Sequence, residues 1–89
     1  MAILLVEYRT QDFAGWKEMF DRDPLGRGGS GVTRRWIYRD VDDPGHLVLS
    51  TEFPTAEGAK SFLGALKPVR DISGVVGTSV LEEAEAATY

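Results

Sequence analysis

The stretch that decides the fold is Gly31–Phe53, GVTRRWIYRDVDDPGHLVLSTEF. Two runs rich in β-branched, aromatic and aliphatic residues flank the acidic segment Asp40–Gly45, which contains a Pro-Gly pair. β-Branched, aromatic and aliphatic residues fit a pleated sheet, and an acidic segment with Pro and Gly is typical of a turn. The stretch therefore predicts a β-hairpin at the centre of a small α+β sheet.

The register of this hairpin decides which side chains share a face, because a slip of one residue exchanges the two faces of a strand. We predict that Arg39 lies opposite His46. The predicted core face then carries Val32, Arg34, Trp36 and Tyr38 with Leu47, Leu49, Thr51 and Phe53. The other face carries Thr33, Arg35, Ile37 and Arg39 with His46, Val48, Ser50 and Glu52. That mixed face predicts a surface covered by something other than the helices of this chain.

A strand and a helix are predicted before the hairpin. Ala2–Tyr8 is a nearly continuous apolar run, which is typical of a central strand covered on both faces. Asp12 is the predicted N-cap of a helix that continues through Phe20 or Asp21. Its apolar stripe consists of Phe13, Trp16 and Phe20.

Connections, a second helix and a last strand complete the chain. Asp23-Pro24 ends the first helix, and Gly26–Gly31 (GRGGSG) forms a flexible connection into the hairpin. Thr55 caps a second helix, which Pro68 limits and whose stripe is Ala59, Phe62, Leu63 and Leu66. Asp71–Gly74 is a turn, Val75–Leu81 is a strand with a bend or bulge at Gly77, and Glu82–Tyr89 is an acidic tail.

The order β-α-β-β-α-β is that of a ferredoxin-like α+β domain with a four-stranded antiparallel sheet, and residues 1–89 form a single domain. Such a sheet leaves one face without helices. A second sheet from a second subunit is the simplest cover for it, so we predict a homodimer in which two sheets form a barrel.

Composition excludes several classes of function. The net charge of -4 argues against a nucleic-acid partner, which requires clustered Lys and Arg. The chain has no cysteine and no apolar run of membrane-spanning length, so we expect no thiolate chemistry, no membrane insertion and a cytoplasmic location. Gly26–Gly31 fits a nucleotide-binding glycine pattern but opens a strand, and Asp40–Gly45 fits a calcium loop incompletely. We therefore expect no metal and no cofactor.

The segments YRTQDFAGWKEMF, GV, YRDVDDPGHLVLSTEF, AEGAKSFL and GVVG together resemble the dimeric α+β barrel superfamily. They are similar in particular to its small antibiotic biosynthesis monooxygenases and polyketide cyclases. The resemblance implies a pocket between helices and sheet, and cofactor-free oxygenation or cyclisation of an aromatic polyketide. Relatives often carry a histidine near the end of the first or third strand, where this chain has Tyr8 and Thr51.

The candidate catalytic residues are Arg34, Tyr8, Tyr38 and His46. The predicted register places Arg34 on an apolar face, where a guanidinium requires an anionic partner. That partner is either a substrate phenolate or enolate, or Asp21 or Asp23; snorkelling to the sheet edge is the other alternative. His46 is the one histidine and follows the turn, so it is either a proton-transfer group or an exposed hairpin residue.

Trp16, Trp36 and Thr51 are the candidate substrate-binding residues. Two tryptophans in so small a core suit a flat aromatic ligand, although such residues also serve as ordinary core. For Arg35 and Glu52 we predict structural pairing on the mixed face. The sequence thus favours a cofactor-independent tailoring enzyme acting on a small aromatic molecule. The alternative is a non-catalytic dimeric module that binds a metabolite or stabilises a partner, which the missing histidine favours.

Overall fold

The computed structural model describes residues 1–22, 31–66 and 74–89. Its elements are β1 (Ala2–Arg9), α1 (Phe13–Asp21), β2 (Arg34–Arg39), β3 (His46–Phe53), α2 (Ala56–Leu66) and β4 (Val75–Glu82). All strand pairs are antiparallel, and the sheet order is β2-β3-β1-β4. The ferredoxin-like fold predicted from the sequence is confirmed.

Both helices begin at the predicted caps. The side chain of Asp12 accepts a hydrogen bond from the backbone N–H of Gly15 at 3.0 Å, and the hydroxyl of Thr55 accepts one from the N–H of Gly58 at 3.1 Å. Each bond satisfies one of the N–H groups that the first helical turn leaves free. The buried helix residues belong to the predicted stripes: Trp16 and Phe20 in α1, and Ala59, Phe62 and Leu66 in α2. No helix within the described ranges combines the length and apolar character that crossing a membrane requires.

Burial alternates along the two central strands. Ala2, Leu4, Val6 and Tyr8 of β1 are buried, and the residues between them are half-buried. In β3 the buried set is Leu47, Leu49, Thr51 and Phe53. We call the surface formed by the buried sets the helix face, because α1 and α2 contribute to the same core. The opposite surface, the open face, is formed by Ile3, Leu5 and Glu7 with His46, Val48, Ser50 and Glu52.

The predicted hairpin register is wrong by one residue. Arg39 lies opposite Leu47 and not opposite His46, and Ile37 lies opposite Leu49. Residues that pair directly share a face of the sheet. Arg35, Ile37 and Arg39 therefore lie on the helix face, whereas Arg34, Trp36 and Tyr38 lie on the open face.

The connection between β2 and β3 explains the slip. The carbonyl of His46 accepts a hydrogen bond from the N–H of Asp40, and the N–H of His46 donates to the carbonyl of Asp43, each at 3.0 Å. The side chains of Asp40 and Asp43 accept from the N–H groups of Asp42 and Gly45. These bonds draw His46 into the connection, so Leu47 is the first residue of β3 that pairs with β2.

The irregularity predicted at Gly77 is a β-bulge. Glu7 and Tyr8 are consecutive on β1 but pair with Gly77 and Val75, so Val76 is the extra residue. The acidic tail after β4 is exposed and belongs to no helix or strand. The predictions that concern residues 23–30 and 67–73 lie outside the described residues: Asp23-Pro24, most of Gly26–Gly31, Pro68 and most of Asp71–Gly74.

Candidate functional site

Thr51 is the polar residue buried in the core of the described chain. Its side chain is 1% exposed, and its Oγ1 has no hydrogen-bond partner among the described residues. A buried hydroxyl without a partner costs about 1–3 kcal/mol. Thr51 is flanked by Leu4 on β1 and by Arg35 on β2. A buried hydroxyl that no described residue bonds, cross-strand from an arginine, is a group that a ligand oxygen would satisfy.

Arg35 extends from the helix face toward α1. Its guanidinium carbon lies 4.8 Å from the centre of the Phe20 ring, and its Nη2 lies 3.9 Å from Oδ1 of Asp21. Asp21 is held more closely by Lys17, whose Nζ lies 2.7 Å from both carboxylate oxygens. Since Arg35 is 43% exposed and its own ion pair is long, its charge is only weakly compensated.

The aromatic rings of α1 form a row that we call the aromatic column, consisting of Phe13, Trp16 and Phe20. Trp16 stacks on Phe20 at 5.1 Å and on Phe13 at 6.1 Å, and Tyr8 contacts Trp16 edge to face at 5.1 Å. Arg39 lies over Phe13 at 5.2 Å, just as Arg35 lies over Phe20. A guanidinium therefore stands over each end of the column. Cation–π contacts of this kind are favourable, and they leave the N–H groups available to an anion.

The structure divides the seven candidate site residues between the two faces. Tyr8, Trp16 and Thr51 lie together on the helix face. Arg34, Trp36, Tyr38 and His46 lie on the open face. Arg34, Trp36 and Tyr38, predicted to lie on the core face, therefore do not form a site together with Trp16. The wrong placement of Arg34 follows from the wrong register. Arg34 stacks over Trp36 at 4.7 Å and lies opposite Glu52 of β3 in the sheet.

Sequence reasoning missed Arg35 and Arg39 as helix-face cations. It gave Arg35 a structural role on the mixed face and placed Ile37 there as well. One signal could have corrected this, because Asp40 and Asp43 are residues that bind backbone N–H groups two positions onward. A connection held in that way favours the longer loop and the shifted register.

His46 lies between two carboxylates on the open face. Its Nδ1 is 3.3 Å from Oδ2 of Asp40, and its Nε2 is 3.5 Å from Oε2 of Glu7. The ring is 28% exposed. The backbone N–H of Asp42 and the imidazole of His46 hold the pKa of the Asp40 carboxyl below its ordinary value.

A second ion pair fixes the hairpin connection to the end of β1. Arg9 donates to both carboxylate oxygens of Asp43. This contact lowers the pKa of Asp43 and raises that of Arg9. The carboxylates of Asp40 and Asp43 thus already have backbone amides, a guanidinium and an imidazole as partners. Among the described residues, no three His, Asp or Glu side chains are grouped closely enough to hold a metal ion.

No protein-family model matches the sequence. No curated protein matches it either.

Solved structures match the whole fold. A protein from Deinococcus radiodurans, named as an antibiotic biosynthesis monooxygenase, superposes with a TM-score of 0.58 at 16% identity, covering 100% of this chain and 98% of its own. A protein of the same designation from Chloroflexus aurantiacus gives 0.59 at 9%, covering 98% and 96%. One from Nitrosomonas europaea gives 0.56 at 16%, covering 96% and 100%. These chains share the architecture from end to end, and at these identities the likeness concerns the fold.

Proposed function

We propose that the protein is a cofactor-independent tailoring enzyme, a monooxygenase or a cyclase, whose small aromatic polyketide-like substrate binds on the helix face. The names of the solved structures with this fold support the enzyme class. The observation that carries the location of the site is the Thr51 hydroxyl. It is buried, has no hydrogen-bond partner among residues 1–22, 31–66 and 74–89, and lies cross-strand from the weakly compensated Arg35. A ligand oxygen between these two groups would satisfy both.

Each helix-face group has a role in this proposal. The aromatic column and Tyr8 give the site a rigid apolar wall, which holds the conformation of a flat substrate. Thr51 donates a hydrogen bond to a substrate oxygen, and Arg35 stabilises the phenolate or enolate that forms when the substrate loses a proton. Arg35 thereby takes the role that the sequence gave to Arg34. Tyr8 is the candidate for relaying the proton, since Tyr38 and His46 lie on the other face.

Two reactions are compatible with these roles. In the oxygenase version, the deprotonated carbon of a substrate CH2 group supplies the electrons that reduce O2. One oxygen atom becomes the new carbonyl on that carbon, and the other leaves as water with the two hydrogens that the carbon loses, as the O–O bond breaks. In the cyclase version, the enolate carbon attacks a carbonyl of the same molecule. The new carbon–carbon bond forms as the carbonyl π bond breaks, and the carbonyl oxygen takes up the proton that the substrate lost. Both reactions begin with an anion, so both require the same stabilising cation.

The closest test compares two neighbouring arginines on opposite faces. The probe is 2-hydroxy-1,4-naphthoquinone, a flat aromatic enol that is ionised at neutral pH, and binding is measured by calorimetry. Arg35→Met should weaken binding by roughly ten- to a hundred-and-fifty-fold, which corresponds to losing a charge-assisted hydrogen bond of about 1.5–3 kcal/mol. Arg34→Met is the matched control and should leave affinity unchanged. A larger loss for Arg34→Met, or no loss for either variant, contradicts the proposed site.

A second function, a non-catalytic dimeric module that binds a metabolite or stabilises a partner, is favoured by one observation. Among the described residues that the helix face buries, Thr51 is the polar one and none is a histidine or carboxylate. Such a site can hold an anion but has few groups that move a proton. Oxygen uptake or product formation with bound aromatic phenols would support the enzyme; tight binding without either would support the module.

We also propose that two copies pair through their open faces. Apolar side chains on this face are half-buried or exposed: Ile3, Leu5, Trp36, Tyr38, Val48 and Leu81. Tyr38 is 56% and Leu81 46% exposed, and a groove of about 630 Å³ opens beside Ile3, Leu5 and Leu81. Strand spacing and rise give the face a projected area of roughly 500 Å², before side-chain relief is counted. That is the scale of the roughly 800 Å² of accessible surface that each partner contributes to a stable complex.

A further inference from the structure

Both ring nitrogens of His46 face carboxylate oxygens, Nδ1 toward Asp40 at 3.3 Å and Nε2 toward Glu7 at 3.5 Å. Ionised carboxylates accept hydrogen bonds and donate none, whereas a neutral imidazole carries one N–H. In the neutral form, one of the two contacts would therefore place a lone pair against a carboxylate oxygen. The imidazolium form has two N–H groups and can donate to both carboxylates.

We call His46, Asp40 and Glu7 the His46 cluster. Glu7 is the member that a second copy would cover. It lies on the central strand β1, between Val48 on β3 and Gly77 on β4, within the open face. Its carboxylate also lies 3.9 Å from the position that a Cβ on Gly77 would take. A second copy that covers the open face removes water from Glu7. Loss of water destabilises an ionised carboxylate unless a cation lies beside it. A protonated His46 is such a cation.

The other charged or titratable groups around His46 do not replace that cation. Those that face it from the neighbouring elements are Glu7 and Arg9 on β1, Tyr38 on β2, and Asp40, Asp42 and Asp43 in the connection. Arg9 is committed to Asp43. On β4 the neighbours of Glu7 are uncharged. The surroundings of His46 are thus predominantly acidic, and a proton on His46 would offset part of their negative charge.

We propose that open-face pairing of two copies takes up protons at His46, so that association tightens as the pH falls from 8 to 6. The inference rests on the proposed homodimer and adds its regulation. Histidine is the side chain whose charge changes in this range, whereas Glu and Asp remain ionised at pH 6. Each dimer contains two copies of the cluster. If pairing favours the imidazolium tenfold at each site, the dimer dissociation constant at pH 6 will be up to about a hundredfold below that at pH 8.

Sedimentation velocity from low micromolar to about 100 µM protein, at pH 6, 7 and 8 and constant ionic strength, tests the proposal. Circular dichroism at each pH verifies that the chain is folded. For the unaltered protein we expect a dissociation constant that rises with pH. In His46→Gln, which cannot titrate, the dissociation constant should vary less than about threefold over the same range.

Two further variants separate the cluster from general acidity. Glu7→Gln removes the desolvated carboxylate, and it should tighten association at pH 8 and flatten the pH dependence even if His46→Gln folds poorly. Asp42→Asn is the matched control in the same connection, and it should retain the full pH dependence.

A dimer whose dissociation constant does not change between pH 6 and 8 overturns the inference and leaves the dimer in place. Pronounced pH dependence that survives in His46→Gln overturns the role of His46, and a monomer under all conditions overturns the dimer as well.

Discussion

At the scale of single residues, Thr51 and Arg35 show how one polar position changes the interpretation of a core. The two residues lie opposite each other, the first with its hydroxyl sealed among apolar side chains and the second with its guanidinium at the edge of the sheet. A threonine at this position contributes no packing that a valine would not contribute, while it adds the cost of a hydroxyl that no described residue bonds. We interpret that cost as the preparation of a ligand site.

Replacing Thr51 with valine tests this interpretation directly. Thr51→Val removes the hydroxyl and keeps the branched shape, so the free energy of unfolding should rise by about 1 kcal/mol, measured by urea denaturation. Affinity for 2-hydroxy-1,4-naphthoquinone should fall roughly two- to tenfold, because a hydrogen bond to the ligand is worth about 0.5–1.5 kcal/mol.

Thr33→Val is the matched control for that experiment. Thr33 is exposed, and its hydroxyl donates to Oε1 of Glu52 at 2.7 Å. This variant should not gain stability and should bind the ligand as the unaltered protein does. A Thr51→Val protein that is less stable, or that binds with unchanged affinity, would show that the hydroxyl has no ligand role.

At the scale of elements, the sequence was sufficient for the helices and insufficient for the hairpin. Asp12 and Thr55 were predictable as caps because their side chains bond to N–H groups of the first turn, which is a local effect. The register was not predictable from apolar pattern alone, because β2 alternates Ile37 with Trp36 and Tyr38 and either set could face the core. Side-chain bonds of Asp40 and Asp43 within the connection decided between them. The candidate site changed with the register, from Arg34 to Arg35.

The caps lead to a prediction about helix stability. Asp12→Ala and Thr55→Ala should each lower the free energy of unfolding by about 1 kcal/mol, because each leaves an N–H of the first turn unsatisfied. Chemical denaturation monitored by circular dichroism measures the change. Gln11→Ala, one position before the α1 cap, is the control and should change stability by less than about 0.5 kcal/mol. Equal effects at Gln11 and Asp12 would count against capping.

The hairpin connection leads to a prediction about pH. The folded pKa values of Asp40 and Asp43 lie below their ordinary values, because of the Asp42 N–H and His46 for the first and Arg9 for the second. The carboxyls of Asp40 and Asp43 therefore bind protons less tightly in the folded state than in the unfolded state. The resulting stabilisation is present above the ordinary aspartate pKa of about 3.9 and is lost as the pH falls through the lower folded values.

Thermal unfolding at pH 7, 5, 4 and 3 measures this loss. The melting temperature should fall below pH 4, and the fall should be smaller in Asp43→Asn, which lacks the Arg9 ion pair at every pH. Asp42→Asn is the control and should follow the unaltered protein. If Asp43→Asn shows the same loss of stability in acid as the unaltered protein, the ion pair does not contribute in the expected way.

At the scale of the whole molecule, one sheet separates two surfaces with different proposed tasks. The helix face carries the candidate ligand site, and the open face carries the apolar residues and the His46 cluster. The sequence predicted the need for a second subunit from Ile37 and Val48, but Ile37 packs against the core of its own chain. Val48 remains on the open face, where it is joined by Trp36 and Tyr38.

Substitutions on the two faces should therefore have different effects. Val48→Asp places a charge in the proposed subunit contact, so it should give a folded monomer by sedimentation at concentrations where the unaltered protein is a dimer. Ile37→Asp places a charge against the core and should instead lower the melting temperature strongly. A Val48→Asp protein that remains a dimer would exclude the open face as the interface.

The measurement that tests the central claim most directly is a crystal structure of the protein with 2-hydroxy-1,4-naphthoquinone. The claim is that an aromatic anion binds on the helix face, where Arg35 and Thr51 meet. We predict that the ring lies against Trp16 or Phe20, with one oxygen within hydrogen-bond distance of Thr51 Oγ1 and another beside the Arg35 guanidinium. A ligand bound on the open face beside Arg34 and Trp36, or a helix face that stays empty at saturating ligand, would contradict the claim.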